Sequence, residues 1–253
     1  MDIRINGENY SVENGLSVYD AAKSAGIAVP REVIAAEING ETHDLTAPVR
    51  DGDEVRLLTF DDEGGKKTFF HTASHILAQA VKRLYPEVKL TIGPAIDTGF
   101  YYDFDTDHAF TREELDAIEA EMKKISKENL KIERFELPRA EALELMKDEP
   151  YKIELINELP EDEVISFYKQ GEFTDLCAGP HVKYTSKVKA FKLLSATGAY
   201  WRGDEHNKML TRIYGTAFQS KAELEEYLEK VEEAKKRDHN KLGRELELFT
   251  TVD

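Results

Sequence analysis

Cysteine is almost absent from this sequence, which has a single one among 253 residues. One cysteine cannot form an internal disulfide, so the composition favours a reducing, cytoplasmic setting. Apolar runs long enough to cross a bilayer are also missing, and the N-terminus MDIRINGENY lacks the basic and apolar regions of a signal peptide. We therefore expect a cytoplasmic protein with no membrane partner, in which 41% apolar residues form a sizeable core.

Positive charge is scarce too. The chain has 34 Lys and Arg against 50 Asp and Glu, a formal net charge of −16, which argues against binding a polyanion through overall charge. Residues 171–220 differ from the rest, because they carry 7 basic and 4 acidic side chains while the segments before and after them are acidic. This segment is the candidate for contact with phosphates.

The first 60 residues contain short β-like runs separated by Asn-Gly and Asp-Gly turn signals. The runs are IRI, NYSV, VIAAEI and EVRLLTF. Between the second and third, Ser17 can cap a short helix, VYDAAKSAG, that Gly26 closes. This order predicts a β-grasp domain over residues 1–61, and the polar stretch DDEGGKK at 61–67 predicts a linker.

The rest of the chain mixes helices with strands. Residues 111–130 predict a helix opened by a capping box, and RAEALELMK predicts another. The runs VISFY, VKAFKLL and MLTRIY are typical of an antiparallel sheet, and a long amphipathic helix starts after Ser220. The predicted fold class is α+β: a β-grasp domain, then a larger α+β domain over 62–220, then a C-terminal helix.

The stretch HTASHILAQAVKRLY carries two histidines, His71 and His75, one helical turn apart. Its apolar residues form a stripe on the opposite face, so both histidines point away from the stripe, as Lys82 does. An HxxxH pair alone is most simply a solvent-exposed face, and burial in a core is not expected.

The stretch TDLCAGPH is a second candidate for a functional site, because it places the single cysteine four residues before a histidine. Gly179 and Pro180 prevent a continuous helix, so Cys177 and His181 should project from a loop. Together with the two helix histidines they can form a tetrahedral zinc site, or they can line a pocket where a histidine positions water. Cys177 can also be simply a small buried residue, and the residues alone leave these alternatives open.

Six motifs carry a family resemblance. They are HTASH, GPAIDTGFYYDFD, EPYK, TDLCAGPHV, TGAYWRGDEHNKMLTRIYGTAF and AKKRDHNKLGRELELF. In this combination the whole chain resembles the N-terminal part of a bacterial-type threonyl-tRNA synthetase. The resemblance implies a TGS domain over residues 1–61, an editing (tRNA deacylase) domain over 62–220, and over 221–253 a linker helix and the start of a catalytic domain that is otherwise missing.

The resemblance also implies the site residues. The catalytic set is Lys152, His75, His181 and His71, and the substrate-binding set is Asp175, Cys177 and Tyr102. Asp175 is expected to hold the α-amino or hydroxyl group of the substrate, and Tyr102 to contact its seryl or ribose part. The expected site contains no metal, and water attacks the ester carbonyl while Lys152 acts as base or stabilises the oxyanion. By residue type alone, a lysine is usually a solvated surface residue.

The function implied is hydrolysis of mischarged seryl-tRNA(Thr), with the acceptor end carrying serine as partner. No cofactor is expected for this chain; ATP, Mg and a catalytic-domain zinc belong to the full-length enzyme, which ligates threonine to tRNA(Thr). The full-length enzyme is expected to be a homodimer and this chain a monomer. The alternatives are an alanyl-type trans-editing deacylase, which shares the HxxxH and CxxxH spacings, and a non-catalytic tRNA-binding module. Ala178 stands where some relatives are expected to be more polar, which leaves tRNA contacts there open.

Overall fold

The computed structural model describes residues 1–245, with side chains over residues 1–237. Its first unit is a mixed five-stranded sheet with one helix packed on it. The elements are β1 (Asp2–Ile5), β2 (Glu8–Ser11), α1 (Val18–Ser24), β3 (Ala35–Ile38), β4 (Glu41–His43) and β5 (Glu54–Leu58). The strand order is β2-β1-β5-β3-β4, and only the central β1–β5 pair is parallel. The predicted strands and the Ser17 cap of α1 are confirmed, whereas β4 was not predicted.

The second unit contains two further sheets and the helices α2 to α6. In chain order the elements are α2 (Glu63–Leu84), β6 (Lys89–Leu90), β7 (Ala95–Ile96), β8 (Gly99–Asp105), α3 (Arg112–Glu128), β9 (Ile132–Glu136), α4 (Arg139–Leu145), α5 (Pro150–Glu158), β10 (Ser166–Gln170), β11 (Phe173–Leu176), β12 (Ala190–Tyr200), β13 (Met209–Phe218) and α6 (Lys221–Glu245). One sheet has the order β12-β13-β8-β6 with β7 beside β8, and the other has the order β11-β10-β9. The strand pairs of both sheets are antiparallel, as predicted, and the mixture of helices and sheets fits the α+β class. The prediction of a single sheet is wrong, because β10 (from VISFY) lies in a different sheet from β12 and β13.

The predicted linker at 61–67 is wrong for most of its length, because α2 begins at Glu63. The two glycines that suggested flexibility serve close packing instead. A Cβ atom at Gly65 would lie 1.9 Å from the carbonyl oxygen of Thr59, so only glycine lets the helix start pass so near the end of β5. Asp62 fixes the same turn by accepting the backbone N–H of Thr59 at 2.8 Å.

Helix α2 lies at the centre of the second unit. It packs against β8 and β13 on one side and against α3 on another, and almost all of its residues from Thr68 to Val81 are buried. The expectation of a solvated histidine face is therefore wrong: His75 is 2% exposed. A one-sided apolar stripe predicts a surface helix, but here the polar side faces another part of the protein.

The two units are in direct contact. The ammonium group of Lys187 donates to the carbonyl oxygen of Arg31 at 2.6 Å, and that of Lys183 lies 3.7 Å from the centre of the Tyr19 ring. Phe60, just after β5, packs edge-on against Phe69 of α2. The N-terminal unit is thus packed on the second unit through apolar and polar contacts.

The predicted capping box of α3 is confirmed, since Thr111 and Glu114 bond reciprocally to each other's backbone N–H. Within residues 1–245, no helix combines the length and apolar character needed to cross a membrane. Helix α6 confirms the helix predicted after Ser220, and residues 246–253, which include the end of the predicted 221–253 segment, lie outside the described residues.

Candidate active site

The seven residues singled out in the sequence converge on one place in the second unit. They come from α2 (His71, His75), β8 (Tyr102), α5 (Lys152), β11 (Asp175) and the loop after β11 (Cys177, His181). The loop lies against α2. The histidine pair of α2 and the Cys177–His181 pair of the loop are therefore neighbours, although they are far apart in the chain. Tyr102, Lys152 and Asp175 lie on one side of this cluster and are almost fully buried.

The three histidines and the cysteine form a compact cluster. The Sγ atom of Cys177 lies 3.3 Å from Nε2 of His71 and 3.3 Å from Nε2 of His181. The rings of His71 and His75 are each 4.2 Å from that of His181 between centroids. Nδ1 of His75 is buried and has no hydrogen-bond partner among the described residues. A buried polar atom without a partner in the chain suits a water molecule or a substrate group.

Thr72 contacts the ring of His181. Its hydroxyl lies 3.0 Å from the carbonyl oxygen of Thr68 and 3.1 Å from Nδ1 of His181. The other ring nitrogen of His181, Nε2, faces the thiol of Cys177. Thr72 was not predicted as a site residue, although it stands inside the HTASH motif.

The cluster is uncharged at neutral pH. Burial lowers the pKa of His71 to about 4 and that of His75 to about 3, and it also lowers the pKa of His181 well below its ordinary value. Burial raises the pKa of the Cys177 thiol to about 12, and the charge of Asp175 acts in the same direction. The group therefore consists of three neutral imidazoles and a protonated thiol, which is not an activated nucleophile.

Lys152 and Asp175 hold the charge of the site. Nζ of Lys152 lies 2.6 Å from Oδ1 of Asp175, and each side chain is at most 3% exposed. The hydroxyl of Tyr102 donates to Oδ2 of Asp175 at 2.8 Å, and Nε2 of His75 lies 3.7 Å from the same oxygen. Burial alone would raise the pKa of Asp175, but the charge of Lys152 and these neighbours keep it below its ordinary value. Asp175 is thus an ionised carboxylate paired with an ammonium group.

Helix α5 places Lys152 in the interior, where it is 2% exposed, and not at the surface where lysines usually lie. Pro150 opens the helix, and the carboxylate of Glu149, just before it, accepts from Lys82 at 2.8 Å and from the backbone N–H of Leu90 at 2.7 Å. These two bonds tie the start of α5 to α2 and β6. Lys152, in the first turn, then points away from solvent toward Asp175.

The four cluster side chains are also the only group of three or more His, Cys, Asp or Glu within residues 1–237 whose spacing suits a metal ion. Their possible ligand atoms all lie within 4.8 Å of one another. Zinc bound by nitrogen and sulfur at its usual bond lengths brings its ligand atoms to about 3.5 Å from each other. The two Cys–His distances match this value, and the wider spread of the set means that a bound ion would require the cluster to contract.

The local excess of positive charge over residues 171–220 does not form a free basic surface. Four of its basic side chains pair with carboxylates from other segments: Lys192 with Glu119, Arg202 with Glu158, Lys208 with Asp105, and Arg212 with Asp103. Lys187 is turned toward carbonyl groups of the N-terminal unit. A charge count along the sequence misses this because the acidic partners lie elsewhere in the chain.

Two comparisons with known proteins found similar sequences. Residues 165–214, which include Asp175, Cys177 and His181, match the model described as the threonyl and alanyl tRNA synthetase second additional domain. The chain is 64% identical over 246 residues to the threonine–tRNA ligase of Clostridium tetani, a match that covers 96% of this chain and 38% of that protein. The threonine–tRNA ligase of Clostridium botulinum strain Kyoto is likewise 64% identical over 246 residues, with 39% of its length covered. The chain therefore corresponds to somewhat more than a third of these relatives.

Proposed function

We propose that this chain hydrolyses the ester that joins serine to the acceptor end of tRNA(Thr), the editing reaction of a threonyl-tRNA synthetase. The observation that supports it most is the buried Lys152–Asp175 pair beside a neutral His and Cys cluster, part of which lies in the segment that matches the synthetase domain. Ligation of threonine to tRNA(Thr), with ATP, Mg and a zinc ion, and a homodimeric assembly are proposed for the full-length enzyme alone. For this chain we propose a cytoplasmic monomer without a cofactor.

Such a site is needed because the binding free energies of serine and threonine at a synthetic site differ too little. A synthetic site that hydrogen-bonds the threonine hydroxyl accepts serine as well, because serine keeps that hydroxyl and lacks only a methyl group. One methyl group changes binding by about 1 to 3 kcal/mol, which is too little for accurate translation. A second pocket that accepts the seryl ester and excludes the extra methyl of threonine removes the product by hydrolysis.

Water attacks the ester carbonyl carbon in the proposed mechanism. The neutral imidazole of His75, whose Nδ1 has no partner within the described chain, orients this water. The ammonium group of Lys152, which lies 2.6 Å from Oδ1 of Asp175, stabilises the oxyanion that forms. As the ester C–O bond breaks, a proton from the water passes through the imidazole to the departing ribose oxygen. The products are serine and tRNA with a free hydroxyl group.

The remaining residues have supporting roles. We propose that His71, His181 and Cys177 form the pocket wall, since the thiol keeps its proton and cannot act as a nucleophile. Contact of Asp175 with the α-amino or hydroxyl group of the substrate stays a prediction. Contact of Tyr102 with the seryl or ribose part also stays a prediction. Tyr102 is fully buried, and its hydroxyl donates a hydrogen bond to Asp175. It can orient Asp175 without touching the substrate.

The domain boundaries 1–61, 62–220 and 221–253 belong to the same proposal. A TGS-like β-grasp domain over the first of these is supported by the central parallel β1–β5 pair and by the way α1 packs on the sheet. The separate apolar cluster of the first unit, which includes Ile3, Val18 and Val55, supports its boundary with the second.

Two other functions are distinguishable from this one. An alanyl-type trans-editing deacylase fits the family model, whose description covers both threonyl and alanyl synthetases. The identity to threonine–tRNA ligases, which extends through the N-terminal unit, favours the threonyl system. A non-catalytic tRNA-binding module would leave a buried Lys–Asp pair and an unpartnered histidine nitrogen without use.

The deciding experiment incubates the purified chain with seryl-, threonyl- and alanyl-tRNA and follows ester loss at equal enzyme concentration. We expect rapid loss of serine from tRNA(Thr), with the threonyl ester spared. Preferential loss of alanine from tRNA(Ala) would select the alanyl-type alternative. No loss of any ester above the uncatalysed rate, although tRNA binds, would select the binding module.

A further inference from the structure

The loop that carries Cys177 and His181 is held from behind by a residue of the N-terminal unit. Asp44 follows β4 directly and is 7% exposed. Its Oδ1 accepts the backbone N–H of His181 at 2.5 Å, and its Oδ2 accepts the hydroxyl of Tyr168, on β10, at 2.6 Å. One carboxylate therefore bonds to the site loop and to the strand beneath it.

Tyr168 extends this contact into the loop. Its ring packs edge-on against His181, with 4.5 Å between ring centroids. Its hydroxyl lies so close to Gly179 that a Cβ atom there would be 2.1 Å from the oxygen, and Gly179 has a φ of +81°. Asp44, Tyr168 and the loop backbone thus form one closely packed group, in which the loop has little room to shift.

The carboxylate of Asp44 is buried at a free-energy cost. No ion pair to Asp44 lies within 4.0 Å in the part of the chain whose side chains are described, and burial raises its pKa above the ordinary value although Tyr168 and His181 bond to it. A buried carboxylate without an ion pair is tolerated where its hydrogen bonds are good, and both of these reach the second unit. Asp44 is far in sequence from the motifs of the site, and nothing in the sequence pointed to it.

We propose that Asp44 is a positioning residue of the deacylation site, through which the N-terminal unit fixes the Cys177–His181 loop; this inference rests on the function proposed above. Asp44 does not touch the reacting groups. It acts through the His181 backbone, which sets the ring that Thr72 and Cys177 contact at 3.1 and 3.3 Å. The N-terminal unit thereby becomes a part of the catalytic apparatus. A misplacement of about 1 Å at a reacting centre can cost about a hundredfold in rate.

The test compares Asp44 with a matched carboxylate of the same unit. Asp53 is 9% exposed and also accepts two bonds, from the backbone N–H of Arg50 at 2.7 Å and from the amide of Asn39 at 2.8 Å, both within the N-terminal unit. We expect Asp44→Ala to lower the single-turnover rate of seryl-tRNA deacylation at saturating enzyme by about tenfold or more, with half-saturation changed by less than about threefold. Asp53→Ala should keep the rate of the unaltered chain wherever it remains folded.

Conservative variants guard against loss of folding. Asp44→Asn keeps the shape and one acceptor oxygen, and it should restore much of the rate lost in Asp44→Ala. Tyr168→Phe removes only the hydroxyl bond to Asp44, so its effect should be smaller than that of Asp44→Ala and should not add to it. Full activity in a folded Asp44→Ala chain, or equal losses in the Asp44→Ala and Asp53→Ala chains, would overturn the proposal.

A second readout is independent of hydrolysis. Cys177 is the single cysteine of the chain, so its reaction with an aromatic disulfide reagent reports on the loop alone. We expect Asp44→Ala to speed this reaction by about fivefold or more and Asp53→Ala to leave it unchanged. If the unaltered chain hydrolyses no ester, the proposed function fails, while the labelling rates still decide whether Asp44 fixes the loop. Equal labelling rates in all folded variants would show that Asp44 does not fix the Cys177–His181 loop.

Discussion

Charged and neutral groups are separated within the candidate site. The charge is confined to Lys152 and Asp175, which compensate each other 2.6 Å apart, whereas the histidines and the thiol are neutral. Burying an ion pair of this kind contributes little or nothing to stability compared with an apolar pair, because desolvation offsets the attraction. The pair is therefore better explained by what its ammonium group can do to a substrate carbonyl than by a structural role.

Replacement of the ammonium group gives the first prediction. Lys152→Ala should lower the single-turnover deacylation rate by about 10² to 10³, because a preorganised charge is lost from the position of the oxyanion, and the apparent affinity for tRNA should change far less. The variant also leaves Asp175 unpaired, which destabilises the chain. The double variant Lys152→Ala with Asp175→Asn removes the second charge and should regain stability without regaining activity. Recovery of activity in the double variant would assign Lys152 a structural role only.

The buried histidines give a prediction about pH. A histidine whose pKa falls from 6.5 to about 3 on folding binds a proton only after unfolding between these values. The unfolded chain then holds more protons, so the free energy of unfolding should decrease as the pH falls below about 6.5, by about 1.4 kcal/mol per pH unit for each such residue. Urea unfolding at pH 6.0, 5.5 and 5.0 measures this slope. His75→Gln should reduce this slope by about the contribution of one histidine. An unchanged slope in a folded His75→Gln chain would contradict the buried neutral state.

The absence of a catalytic metal is a further prediction at this scale. His71 and His181 already contact the Cys177 thiol, and His181 also contacts Thr72. The four side chains would have to contract around an ion. We expect less than one zinc per chain in elemental analysis and unchanged deacylation after treatment with a chelator. Cys177→Ser should retain a part of the activity, because the thiol serves as a wall. One tightly held zinc per chain whose removal abolishes hydrolysis would reverse this assignment.

Among the elements, those with local signals were predictable and those defined by distant partners were not. The caps of α1 and α3 and the Asn-Gly turns act through residues a few positions apart, and all were predicted. Strand β8 was missed because it is buried on both faces, so its sequence GFYYDFD shows no alternation. Helix α5 was not predicted, and its start carries no capping signal because Glu149 bonds to Lys82 and Leu90 instead of capping its own helix.

For the site, the sequence predicted which side chains take part but not how deeply they are buried. The motifs located all seven side chains, because residue types at fixed spacing carry the resemblance. Their burial could not be predicted, since a lysine is buried only where a carboxylate meets it, and Asp175 comes from a different element. The same reason explains the missed role of Asp44, whose partners are on β10 and in the loop after β11.

The turn between β12 and β13 supports α5 from outside the site. Trp201 is 5% exposed, donates its indole N–H to Glu154 at 3.1 Å, and packs edge-on against Tyr151, the residue before Lys152. Arg202 pairs with Glu158 on the same helix at 2.6 Å and adopts a φ of +59°, which is costly for a residue with a side chain. The turn accepts this local strain where it contacts the helix that carries Lys152.

Trp201 therefore offers a prediction at the scale of elements. Trp201→Ala should destabilise the chain by about 3 to 5 kcal/mol and lower the deacylation rate, since α5 loses its packing partner. Trp201→Phe keeps ring packing and should lose much less of both. Met209→Ala, at an exposed position of the same hairpin, is the control and should resemble the unaltered chain. Thermal unfolding and single-turnover kinetics measure the two effects. A folded and fully active Trp201→Ala chain would contradict the proposal that this turn supports α5.

The whole molecule is acidic and yet is proposed to act on a polyanion. Its net charge of −16 repels tRNA at long range, and most basic side chains of the segment with the local excess are neutralised by carboxylates. Affinity at the acceptor end must then come mainly from the pocket and from a few remaining cations. Lys189 is one of these, since it has no ion pair within residues 1–237, whereas Lys187 is bound to backbone carbonyls.

Binding of tRNA by this chain should consequently be weak and dependent on salt, with a dissociation constant of about 10 μM or higher at physiological ionic strength. If two or three phosphates are contacted, the logarithm of the binding constant should fall with the logarithm of the salt concentration with a slope of about −2. Lys189→Ala should reduce this slope by about one, since it removes one phosphate contact. Lys147→Ala, whose ammonium group already pairs with Glu144 at 2.8 Å, should leave the slope as it is. Titrations of a fluorescent tRNA at several salt concentrations measure all three chains. Tight binding that does not change with salt would contradict this prediction, because it would mean that non-electrostatic contacts, and not phosphate contacts, dominate the affinity.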